Sequence, residues 1–158
     1  MSPAVRCTFT IGKLRVVTYF PDLSRYTYLP EDDGALNIGW LDDARSFPLG
    51  PPDLVFLEKL AWMCARGQRV NQTRGIHPCN LCQPIPSVWH HLETSEGTRL
   101  LGTAEIRVEA EQRYAAPDLI IHYVSDHRYQ PPHEFVRAVT ACNERLSMGE
   151  WQIVRRGL

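Results

Sequence analysis

The stretch that most constrains this chain is residues 68–97, because it gives a folding chain so little regular structure to use. No helical or strand period runs through it, and Pro78, Pro84 and Pro86 interrupt what pattern there is. A structureless loop of this length is uncommon in a compact domain unless something organises it. The same stretch holds RGIHPCNLCQ, residues 74–83, with Cys79 and Cys82 in a C-x-x-C and His77 two residues upstream. A bound metal would supply the missing organisation.

Tetrahedral zinc takes thiolate and imidazole ligands, and a C-x-x-C lets two sulfurs converge from one tight turn. The pair is half of a site, so the remaining ligands must come from elsewhere. His77 is the local candidate, since in extended backbone it shares a face with Cys79. The segment HYVSDH offers His122 and His127. His127 lies beyond a predicted strand and before Pro131-Pro132, a natural place for a loop ligand. His122 sits between Ile121 and Tyr123 and reads equally well as a half-buried histidine. The expected set is therefore Cys79, Cys82, His77 and His127 around Zn²⁺, with His122 as the substitute. Cys7 and Cys142 stand in apolar contexts. His90 and His91, beside Trp89, read as surface loop residues, and His133 as an exposed residue of a helix's first turn.

Other uses of the cysteines fit less well. A thioredoxin-like pair needs a helix starting at the motif to lower the thiol pKa; here Pro84 and Pro86 follow at once. Zinc deaminases pair P-C-x-x-C with an upstream H-x-E. Here the only comparable glutamate, Glu105, is downstream, and Thr103 occupies the ligand position. Two structural cysteines remain the plain alternative. The chain shows no G-x-S-x-G, H-E-x-x-H or glycine-rich phosphate loop.

Composition narrows the setting. The chain has 158 residues, 17 basic and 18 acidic, with a formal net charge of −1. That length suits a single domain over residues 1–158. The charge balance argues against a large nucleic-acid footprint, which needs a basic excess. No stretch approaches the roughly 20 apolar residues of a membrane helix, and the N-terminus lacks the apolar core of a signal peptide. Five unevenly spaced cysteines point to a reducing cytoplasm rather than to a disulfide scaffold.

Residues 5–19 predict one or two strands, and 35–41 a short buried strand. The clearest element is a helix over 51–66, with Leu54, Leu57, Leu60, Ala61 and Cys64 on one face and Gly67 after its end. Strands are predicted over 98–108 and 113–124 with a hairpin turn at EAEQ. A second helix opens at Pro131-Pro132 with Phe135, Val139, Cys142 and Leu146 on its face, and WQIVRR adds a last strand. Tyr19, Tyr26, Tyr28 and Trp40 read best as packed aromatics. The pattern predicts α+β: a mostly antiparallel sheet with two main helices and a zinc-clasped loop.

TYFPDLSRYTYLP, ALNIGWLD, VNQTRGIHPCNLC, LLGTAEIRV and YAAPDLIIHYVSDHRYQPPHEFVRAV together resemble a family of uncharacterised bacterial proteins, a domain of unknown function. The resemblance runs from about Val17 to Val139. It implies that Cys79, Cys82, His77, His122, Tyr123, His127 and Pro132 belong to shared motifs, and it supplies no substrate, partner or mechanism.

Two functions follow as expectations. The first is a small cytosolic zinc domain that acts through contacts with another protein, as a binding or accessory module. The second is a zinc-dependent hydrolase, in which an open metal position activates water and Glu105 is the general base. A third, weaker idea is an anion or nucleic-acid site at Arg69, Arg74 and Arg128.

Overall fold

A computed structural model describes residues 19–28, 34–66, 69–72, 76–82, 88–142 and 149–157. The strands expected over 5–19 lie outside these residues apart from Tyr19, as do Arg74 and Leu146. The described chain is α+β, with two small sheets and three helices.

The first sheet pairs β1 (Leu36–Asn37) with β6 (Arg113–Pro117), β6 with β5 (Glu105–Glu109), and β5 with β2 (Arg69–Val70). Only β1–β6 is parallel. β5 and β6 form the predicted hairpin, with Glu109 opposite Arg113. The second sheet is antiparallel, with β3 (Val88–Thr94) between β4 (Gly97–Leu100) and β7 (Trp151–Gly157).

Helix α1 (Leu54–Arg66) starts where Asp53 accepts the Phe56 amide at 2.8 Å, an N-cap bond. Its buried face is Phe56, Leu60, Ala61, Met63, Cys64 and Ala65. Leu54, expected on that face, is 75% exposed, because the true stripe begins two residues later at Phe56. Helix α3 (His133–Thr140) opens just after Pro131-Pro132 and buries Phe135 and Val139 as expected, but it stops before Cys142. Phe135 meets Phe56 and Tyr114 edge-on, tying both helices to β6.

Helix α2 (Ile120–His127) corrects the sequence reading. The predicted strand over 113–124 is only β6; the chain turns at Asp118-Leu119 and becomes helical. Ile120, Ile121, His122, Tyr123 and Val124 are all buried. Five successive buried residues, three of them the β-branched Ile120, Ile121 and Val124, form a short run that passes for a strand. The strand expected over 98–108 is broken in two by bends around Gly102. The 68–97 loop in turn contains β3.

The aromatic front half is core, as expected. Tyr26 and Trp40 are buried with Ala35 and Ala115, and Phe20 and Tyr28 pack against them.

Candidate metal centre

The Cys79–Cys82 turn is docked at Gly102. The His77 amide donates to the Gly102 carbonyl at 2.8 Å, and the Gly102 amide donates to buried Asp118 at 2.7 Å. Gly102 has φ +82°, and a Cβ there would lie 2.2 Å from the His77 carbonyl oxygen. Only glycine allows this approach. One residue thus joins the cysteine turn, the β4–β5 bend and the start of α2.

That docking brings four donors together. Cys79, Cys82, His122 and His127 offer ligand atoms that all lie within 4.8 Å of one another, so the group could hold a metal ion. Cys82 Sγ is 3.3 Å from His122 Nε2 and 3.4 Å from His127 Nε2. Cys79 Sγ is 3.4 Å from His127 Nε2, and the two imidazole nitrogens are 3.2 Å apart.

His122 and His127 are five residues apart, about 140° round an ideal helix. They converge because His127 is the last residue of α2, before Arg128 turns left-handed at φ 56°. His122 Nδ1 faces Asp126 at 2.9 Å, one helical turn on. Such a bond places the proton on Nδ1 and leaves the Nε2 lone pair facing the cluster. Burial alone would raise the Asp126 pKa, but hydrogen bonds from His122 and Ser125 outweigh it and hold it below the usual carboxylate value.

The thiols and imidazoles are matched to a cation. Burial, then the neighbouring Cys82, push the metal-free Cys79 thiol up to about 12, against the pull of the Leu81 and Cys82 amides that donate to its sulfur. Those amides favour a thiolate once a cation is present. Burial and the nearby His122 push His127 down.

His77 is not one of the four, although it was an expected ligand. Its backbone amide is bonded to the Gly102 carbonyl. His122, named as the substitute, stands in the cluster instead. His90 corrects another expectation: it is not a surface loop residue but lies on β3 and is 3% exposed. Its Nε2 is 3.5 Å from Cys82 Sγ, and its ring stacks on His122 with centroids 3.8 Å apart. Burial and then His122 push its pKa down to about 4. The signal that could have found it was alternation: His90 and Leu92 share the inward face of one strand.

Glu105 is buried and committed elsewhere. It accepts hydrogen bonds from Tyr26 at 2.9 Å and Asn71 at 3.0 Å, and it pairs with Arg107 at 2.7 Å. The Arg107 guanidinium also lies over the Tyr26 ring. This network braces β5. Among the other arginines considered, Arg128 is exposed at the end of α2, and no side chain is described for Arg69.

No helix among the described residues is long and apolar enough to cross a membrane. No curated protein and no solved structure matches the chain. A family model does match, over residues 18–140, a span that contains every residue of the cluster and its supports. The chain therefore belongs to the family described as a domain of unknown function, DUF7919.

Proposed function

We propose that this domain is a small zinc-binding module in which Cys79, Cys82, His122 and His127 close a structural site. One observation carries the reading. Zinc bonds of about 2.3 Å to sulfur and 2.0–2.1 Å to nitrogen, at tetrahedral angles, put ligands roughly 3.6 Å apart for S···N and roughly 3.3 Å for N···N. Three of the four S···N separations, at 3.3, 3.4 and 3.4 Å, and the N···N separation of 3.2 Å fall within a few tenths of an ångström of those edges, and all four donors lie within 4.8 Å of one another. Two thiolates and two neutral imidazoles also leave a neutral centre with divalent zinc, which suits its partly buried position.

The ion would clasp the 76–82 segment to α2, and the domain would act in the cytoplasm through contacts with another protein. A set of four protein donors leaves no open position for water. The hydrolytic alternative has less behind it, because Glu105 is already held by three protein partners.

Protein purified without chelator should carry close to one zinc per chain by elemental analysis. Stripping the ion should destabilise the fold, since a ligand bound only by the native state adds to its stability. A zinc content near zero, with the chain folded, would remove the reading.

A further inference from the structure

Three imidazole nitrogens approach Cys82 Sγ: His90 at 3.5 Å, His122 at 3.3 Å and His127 at 3.4 Å. A bound ion would divide them. His122 keeps its proton on Nδ1, toward Asp126, so its Nε2 lone pair faces the cluster. His127 Nε2 belongs to the same set of four donors. With both lone pairs given to a metal, neither of these nitrogens carries a hydrogen. His90 stands outside the set. Its ring lies over that of His122, with centroids 3.8 Å apart and 31° between the planes, so it covers a ligand instead of being one. Of the three nitrogens, only His90 Nε2 is left with a hydrogen to donate. A metal-bound thiolate still has lone pairs to accept it.

The two sulfurs also differ in what protects them. Cys79 is 2% exposed and accepts the Leu81 and Cys82 amides. Cys82 is half-buried. We infer that His90 is a cap on Cys82: its Nε2–H donates to the metal-bound thiolate and keeps that sulfur from attacking electrophiles. The cap rests on the metal site proposed above. Donation to the sulfur disperses its negative charge, and that charge is what makes a thiolate nucleophilic. The ring needs no change of charge to serve, because a neutral imidazole with its proton on Nε2 and a protonated one both offer the N–H. It needs no loop to deliver it either, since β3 is paired along its length with β7 and fixes where the ring stands. His90 is thus a positioning residue for the clasp, acting through Cys82.

The test uses the whole zinc-loaded chain and iodoacetamide. A thiolate that attacks this reagent forms a carbon–sulfur bond and expels iodide, and the thioether left behind releases the ion. A zinc-binding dye follows the release, and mass spectrometry identifies the cysteine modified first. His90→Phe keeps a ring against His122 but has no N–H. It should speed alkylation of Cys82 about tenfold, the worth of a hydrogen bond to a charged group. His90→Gln offers an amide N–H from the same strand position and should restore most of the protection. In cobalt-loaded protein, His90→Phe should move the thiolate-to-metal band to longer wavelength, because the sulfur lone pairs rise in energy, while the ligand-field bands keep tetrahedral intensity. Wild-type protein without zinc would sink the metal site itself, a separate failure. Given zinc, a wild-type alkylation rate in His90→Phe would overturn the cap. Equal acceleration in His90→Phe and His90→Gln, with the cobalt band unmoved, would overturn it too, because packing and not the N–H would then protect the sulfur. Should His90→Phe fail to fold, His90→Leu takes its place with the same outcomes.

Discussion

Glu105→Gln separates a structural glutamate from a catalytic one by stability alone. The substitution keeps volume and one acceptor for Tyr26, but it removes the charge that answers Arg107. The paired side chains are 4% and 9% exposed, so the guanidinium left behind has little water to replace its partner. Breaking a buried ion pair from one side costs about 3–5 kcal/mol. Arg107 keeps its position over the Tyr26 ring, a cation–π contact worth about 1 kcal/mol or more, which favours the lower end. At 2–4 °C per kcal/mol for a domain of this size, 3 kcal/mol lowers Tm by about 6–12 °C. Thermal unfolding followed by circular dichroism reads it directly. Replacing both partners, Glu105→Gln with Arg107→Met, should recover most of the loss, because no buried charge is then left alone. A single variant within about 2 °C of wild type would show that the pair is not a buried ionic brace.

Three further outcomes follow from the site. Asp126→Asn should weaken zinc binding about 10–100-fold with the fold intact, by loosening the imidazole it orients; chelator competition measures it, and unchanged affinity would deny Asp126 that role. Gly102→Ala should destabilise by about 2–5 kcal/mol, adding a left-handed backbone penalty to a clash with the His77 carbonyl; urea unfolding measures it, and a neutral result would contradict the docking described. Zinc affinity should rise with pH between 6 and 8, by up to about tenfold per pH unit for each thiol proton displaced. Calorimetry in buffers of different ionisation enthalpy counts those protons, and a pH-independent affinity would argue that the thiols do not bind.

The cysteine half of the centre was legible because C-x-x-C is a local motif with its own chemistry. The histidine half was legible only as a short segment, HYVSDH. Choosing within it failed on secondary structure. Read as a strand, the segment makes His122 an interior residue and His127 the ligand that follows; wound as α2, it presents both. The helix was hidden because Ile120 to Val124 are five buried residues in a row, long enough for a strand and too short to show a helical period before the polar Ser125 and Asp126. His77 was named for its proximity in sequence, and the four donors that lie within 4.8 Å of one another do not include it. His90 was lost because the inward row of β3 holds a histidine where an apolar residue would have revealed the alternation. The hairpin and the opening of α3 were legible from a turn and from prolines, which act locally whatever packs against them.

The eight-residue length of α2 bears on the order in which the centre is built. A helix that short does not persist in water by itself. An unfolded chain therefore presents the cysteine turn as its only ready pair of ligands, while His122 and His127 converge only after α2 has wound and Arg128 has stopped it. An ion would be taken first by the two sulfurs and passed a native shell only as the helix forms around it. Uptake should accordingly be biphasic, a fast thiolate step followed by a slower one at the rate of folding, and the ion would act as the template on which α2 nucleates.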